Sequence, residues 1–250
     1  MSVSLPRSVV AALWLGYADG TDDWLSPAVT AITGTDEPHR TVDQAPLTAM
    51  LAQFAHQRGT ICAALPVPHE PVGLAGVSGT AAMDAGECLV VTSTQGQALV
   101  AVPAVTAFGS ALEPGAMVRW QIFSTCASLV PIDLGEARRV LAQALVVAVD
   151  ALETMDVARW RPDAAEEIAE LASAAIPGPI ADALPAELDP RRAQLLVRAA
   201  RLEAIAELAM ADDGAALTLW AADQRLAALR HVAGAARQAM TAASTFPTGR

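Results

Sequence analysis

The apolar positions change period twice along the chain. Up to about residue 59 they recur at helical spacing, from Thr60 to about Ser124 they fall in short β-type runs, and beyond "PIDLGEARR" the helical spacing returns. In "APLTAMLAQFAHQRG", Leu47, Met50, Leu51 and Phe54 share one helical face, with His56 opposite and Gly59 placed to end the helix. The middle region reads as five strands, "TICAALP", "VGLAGV", "ECLVVTS", "QALVAVP" and "MVRWQIFS", with a hairpin turn at "STQGQ" where Gly96 supplies a positive φ. In the last of these Val118, Trp120 and Ile122 point to one face and Met117, Arg119, Gln121 and Phe123 to the other.

The C-terminal half reads as a helical bundle. Leu134, Ala137, Leu141, Leu145, Ala148, Leu152 and Met155 form one stripe. "RPDAAEEIAELA" has capping-box spacing from Asp163 to Glu166, and "IPGPI" breaks the helix it opens. Asp189 before Pro190 signals a further helix running to about Asp212. Within that helix Arg198 lies near Leu195 and Leu202 on the wheel, which predicts a half-buried guanidinium that by default pairs with a carboxylate, the alternatives being snorkelling to water or an anionic ligand. In the last helix Leu219, Ala222, Leu226, Leu229, Ala233, Ala236 and Met240 make a short seam with small residues at half its positions. Its expected partner is the preceding helix, and a homodimer contact through Leu219, Leu226, Leu229 and Met240 is the alternative. The fold class this predicts is α+β: a small, mainly antiparallel sheet with N-terminal helices over 1–130 and a helical bundle over 131–250, packed as one unit, with two separate domains joined near Pro131 as the alternative.

Composition narrows the chemistry. All 16 basic residues are arginine, so a P-loop lysine, a Schiff-base lysine and a lysine general base are excluded. A net charge of −11 disfavours nucleic acid and anionic membrane surfaces, and no run of 18 uninterrupted apolar residues predicts a membrane span. Cys62, Cys88 and Cys126 are three widely spaced thiols in apolar contexts, which reads as reduced, buried cysteines in a cytoplasm. "MSVSLPRSVVAALWLGYADG" imitates a signal peptide, but its single Arg7 is a weak basic region and Pro6 suits a first helical turn, so it reads as an ordinary helix.

Candidate chemistry is sparse. In "GLAGVSGTAAMDAG", Gly73, Gly76 and Gly79 have the spacing G-x-x-G-x-x-G rather than that of a dinucleotide fingerprint, and strand residues are expected to follow them. Ser78 lacks the glycine frame of a nucleophile elbow. "TDEPHR" gathers Asp36, Glu37 and His39 as possible metal ligands without a second histidine, so no metal and no cofactor is expected. His69 and Glu70, in "VPHEPVG", form the best candidate acid/base pair, with Arg119 as a third polar group should a pocket lie between the sheet and the C-terminal helices.

The segments "ALPVPHEPVGLAG", "VTAFG", "DVARWRPDAAEEI" and "MADDGAAL" resemble an uncharacterised protein family of high-GC actinobacteria, over most of the chain. The resemblance implies a cytoplasmic protein with no assigned activity and carries no catalytic residue over. The function expected is therefore a non-catalytic, cytoplasmic interaction or scaffold protein, with a homodimer or a protein partner. The alternative is a small-molecule binder or enzyme using that pocket.

Overall fold

The computed structural model describes the chain except for residues 1–2, 19–20, 69, 71–73, 75, 111, 127–128, 130–131, 155–175, 212–218 and 248–250. The fold is α+β and divides into two compact units. The sheet unit comprises Leu5–Pro131, Asp182–Leu188 and Ser244–Arg250, and the helical unit Met1–Ser4, Ile132–Ala181 and Asp189–Ala243.

In the sheet unit, α1 (Arg7–Gly16) begins after Pro6, whose φ of −54° already matches a helical start. Its residues Ser8 to Leu13 and Leu15 are all buried, so the stretch that imitates a signal peptide is an interior helix. There follow α2 (Leu25–Thr33), β1 (Arg40–Thr41) and α3 (Leu47–Ala55), the last burying Leu47, Met50, Leu51 and Phe54 as its period requires. Then come β2 (Thr60–Ala64), α4 (Gly76–Ala85), β3 (Cys88–Thr92), β4 (Gln97–Gly109) and β5 (Pro114–Cys126). Far along the chain β6 (Phe246–Pro247) returns to complete a six-stranded sheet of order β1-β5-β4-β3-β2-β6, antiparallel except at β1–β5.

Alternation along the strands divides the core into two layers. Cys62, Ala64, Cys88, Val90, Ala98, Val100 and Val102 face Ala82 of α4, while Ile61, Ala63, Leu89, Val91 and Ala101 point to the other face, where α1 packs. Trp120 is fully buried and Val118 nearly so.

The structure corrects four expectations here. "VGLAGV" is not a strand across its length: α4 begins at Gly76, and its alanines and small residues carry no strand-like alternation. Gly59 does not cap α3, which ends at Ala55 with His56 after it; Gly59 instead brings the backbone against Thr92, where a Cβ would stand 2.0 Å from the carbonyl oxygen. β4 and β5 are longer than the apolar runs suggested, pairing from Gln97↔Cys126 to Gly109↔Pro114. Strands at residues 40–41 and 246–247 join the sheet from outside the expected 60–124.

The helical unit contains α5 (Leu134–Thr154), α7 (Pro190–Ala211) and α8 (Leu219–Ala243), and α8 packs along both of the others. A short α6 (Gly178–Ala183) straddles the boundary between the units. The expected capping box at Asp163 lies outside the described residues. Asp189 does cap α7, its Oδ1 accepting the Arg191 amide at 3.1 Å. The α7 arginine expectation is corrected: the buried arc runs through Leu195, Leu196, Ala199 and Ala200, and Arg198 lies outside it, exposed. Among the described residues the buried guanidinium groups belong to α8. Arg225 donates to the Ala209 carbonyl at 2.8 Å, and Arg237 lies 3.6 Å from the Glu203 carboxylate. Arg192 donates to the Ala243 carbonyl at 2.8 Å, closing the end of α8 as a cation there should.

Gly59→Ala is expected to lower the unfolding free energy by about 3 kcal/mol, because the clash is with backbone that cannot swing away. Urea denaturation checks it. An unchanged midpoint would show that the junction of β2 with Thr92 yields easily.

Candidate functional site

The structure describes two of the three polar residues that the sequence singled out for an acid/base site. His69 lies outside the described residues. Glu70 closes a tight turn after β2, donating its amide to the Val67 carbonyl at 2.8 Å, and Arg119 is exposed on β5 opposite Arg40. Three inter-strand steps separate β5 from β2, or about 14 Å at 4.8 Å each. Of the helical seam, Leu229 and Met240 are buried, Leu226 is half-buried, and the Leu219 side chain lies outside the described residues. The seam's buried members thus already pack within the chain. Gly76 and Gly79 lie in the first turns of α4, so a helix does follow these glycines, against expectation, and Ser78 is buried in it. Gly73 lies outside the described residues.

"TDEPHR" forms an ordered polar chain rather than a metal site. Arg7 Nε donates to Asp36 Oδ2 at 2.7 Å, His39 Nε2 lies 3.2 Å from the same oxygen, and Trp120 Nε1 donates to His39 Nδ1 at 3.3 Å. An indole N–H is a donor only, so Nδ1 must accept and the proton of the neutral ring sits on Nε2, directed at Asp36. Every strong valence of the imidazole is occupied. Among the described residues no group of three or more His, Cys, Asp or Glu gathers. Burial holds the His39 pKa below its ordinary 6.5, against the opposing pull of Asp36.

A second buried charge centre lies between α4 and β3. Glu87 accepts the Ser8 amide at 2.7 Å, capping the first turn of α1 from 79 residues away. Burial pushes its carboxyl pKa up, and the α1 amides and Arg7 oppose that shift.

The thiols divide. Burial pushes the Cys62 pKa up to about 12 and raises that of Cys88 as well, leaving both inert. Cys126 is exposed at the end of β5, correcting the expectation that all three are buried. It borders an open cleft of about 580 Å³ between the end of α3 and the face of β3, β4 and β5, where Gln53, Gln57 and Arg58 are the polar groups on the helical side.

Among the described residues of the sheet unit, exposed apolar side chains gather on the far half of the β4–β5 hairpin. β3 pairs with β4 only up to Ala101, whereas the β4–β5 ladder continues to Gly109↔Pro114. The eight residues from Val102 to Gly109 therefore extend the hairpin about 27 Å past the last β3 pair. Val105, Phe108, Leu112 and Met117 on this arm are 47%, 49%, 94% and 36% exposed. The arm is well formed: the Phe108 ring lies where a Cβ on Gly115 would stand, 2.6 Å from its atoms, and Ser110 and Glu113 exchange backbone hydrogen bonds at 3.2 Å. The sequence marked "QALVAVP" and "MVRWQIFS" as strands but not the segment between them, because Pro103 interrupts the run.

Two family models match the chain. One is described as Rv1486c-like protein, N-terminal domain, and matches residues 8–133; the other, Rv1486c-like protein, C-terminal domain, matches residues 135–241. No curated protein and no solved structure matches it. No helix among the described residues is long and apolar enough to cross a membrane.

Stability is expected to fall as the pH drops below about 6.5, because the unfolded chain binds a proton at His39 that the folded chain resists. The raised Glu87 pKa acts in the opposite sense, since the folded carboxyl holds its proton more readily. The comparison with His39→Gln isolates the histidine: urea midpoints of the variant should lose less between pH 7 and pH 5.5. Equal losses would assign the pH dependence elsewhere. A native thiol titration should find Cys126 reacting quickly, with Cys62 and Cys88 reacting only after unfolding.

Proposed function

We propose, for a chain that belongs to the Rv1486c-like protein family, a non-catalytic role as a cytoplasmic protein-interaction or scaffold protein whose contact element is the β4–β5 arm. The observation that supports this reading is the run of exposed apolar side chains on the arm, ending in Leu112 at 94% exposure. A solvated hairpin gains nothing from such residues, whereas a contact surface is built from them. The ionisable groups held in the sheet unit's interior support it from the other side. His39 and Glu87 have their hydrogen-bonding atoms engaged in packing the fold, and neither is left to carry a proton to a substrate.

A small-molecule role has one observation in its favour, the cleft beside α3 with Arg58 flanked by Gln53 and Gln57. It would take a small polar anion against the apolar floor of Val91 and Leu99.

The test is photo-crosslinking in the native host from a reactive residue placed at Leu112, with His56, exposed on the end of α3, as the control position. Protein adducts of defined mass from Leu112 and none from His56 are expected. An arm that yields no protein adduct, together with a reproducible small ligand retained in native mass spectrometry, would overturn the interaction reading in favour of the cleft.

A further inference from the structure

The hydrogen-bond parity of β4 determines what its open edge offers. Ser93 donates to the Gln97 carbonyl at 2.7 Å on the β3 side, and Ser110 and Glu113 exchange bonds at 3.2 Å at the far end of the β4–β5 hairpin. Antiparallel ladders alternate, so even-numbered residues of β4 bond to β5 and odd-numbered residues direct their N–H and C=O to the other side. Leu99 and Ala101 use those groups on β3, opposite Val91 and Leu89. Beyond Ala101 there is no β3 residue to meet them, and Val105 and Ala107 direct N–H and C=O groups from an exposed edge. Pro103 fits the same rule, since its missing N–H falls on the unpaired side where no ladder bond is lost.

We propose that this edge pairs with the same edge of a second copy of the chain, in an antiparallel two-fold arrangement that sets Thr106 opposite Thr106 of the other copy. The inference rests on the reading of the arm as a contact element and names its partner. Two consequences of this register and one property of the sequence fit a second copy. Val105 then stands opposite Ala107 of the other chain, two outward-directed residues, so both exchange hydrogen bonds and the two-fold repeats the pair, giving about four bonds. Pro103 stands opposite Gly109, and these two residues, one without an N–H and one with a φ of +86°, bound the paired segment at both ends. Charge favours the same choice: in a chain of net charge −11, residues 97–118 contain Glu113 as their single ionisable side chain, so two copies can approach here without the repulsion their remaining surfaces exert. Thr106 side chains meeting on one face add a favourable cross-strand pair, and Phe108 comes to lie across from Ala104 of the other copy. A two-fold closes on itself, so the edge is covered without propagating into a fibre.

Sedimentation equilibrium of the full chain over a wide concentration series tests this, together with two variants. The wild type is expected to dimerise reversibly. Ala107→Pro removes an outward N–H that the β4–β5 ladder does not use, and should weaken the dimer at least about tenfold while leaving the circular dichroism spectrum unchanged. Thr106→Cys in a Cys126→Ser background places two thiols at a non-hydrogen-bonded pair, where Cα atoms lie about 4.5 Å apart, and should form an intermolecular disulfide rapidly under mild oxidation. Leu112→Cys in the same background, beyond the paired segment, should not. A wild type that stays monomeric with Thr106→Cys uncrosslinked overturns the self-pairing, as does a dimer that Ala107→Pro leaves intact. Either result leaves the contact role of the arm to be decided separately by the Leu112 adducts, since another protein's extended segment could occupy the same edge.

Discussion

β4 divides its backbone groups between two neighbours, and the sheet unit is organised around that division. It is in register with β5 over thirteen pairs, in which its even-numbered residues make the bonds, and its odd-numbered residues bond to β3 over only the first few. The near half of the strand is therefore the centre of the sheet, with Val100 and Ala101 completely buried on opposite faces. The far half has β5 as its one strand neighbour and, beyond the short β1 pairing, runs out as one strand of a two-stranded ribbon. A ribbon of that kind is marginal by itself, and here it is an extension of a strand whose register is already fixed in the core. The segment 37–41 flanks β5 along the arm: the Arg40 and Thr41 pairing lies near its base, and the Glu37 amide donates to the carbonyl of Ala116, opposite Ala107, at 2.9 Å.

That base is also where the buried polar chain is anchored. Trp120 stands beside Thr41 in the β1–β5 pairing, and its indole N–H reaches back to His39. Through Asp36 the chain continues to Arg7 at the start of α1, whose next residue is capped by Glu87. Two polar contacts at one helix terminus thus tie α1 to two places in the sheet unit, to the segment before β1 by Arg7 and to the residue before β3 by Ser8. Each group is satisfied in the neutral or paired state that burial favours, which is how titratable side chains persist inside a fold.

Where local sequence determines structure, the elements are legible in it. The face of α3 that carries Leu47, Met50, Leu51 and Phe54 is the buried one, the turn at Gly96 has its positive φ of 78°, and Asp189 caps the helix it precedes. Where a partner distant in sequence decides, they are not legible. α4 has no amphipathic stripe to reveal it, because it packs small residues closely against the sheet. Gly59 looked like a helix terminator until Thr92 supplied the reason for it. Pro103 ended the apparent strand, since its tolerance depends on which side of β4 lacks a neighbour. The polar chain was half visible: Asp36 and His39 stood out as a cluster, but Trp120, 81 residues from His39, converts a possible ligand set into a structural one.

The sixth strand gives the chain an unusual order of assembly. Phe246 and Pro247 pair with Ile61 and Thr60 on the β2 edge, and the Phe246 ring lies against Gly16 so closely that any side chain there would collide with it. A ribosome adding residues at about 5–20 per second needs roughly 10–40 seconds to cover the span between them. For all of that interval the β2 edge and the end of α1 wait uncovered, while α5, α7 and α8 are made. The nascent sheet unit thus stays open to pairing with the wrong strand until Phe246 and Pro247 have been made.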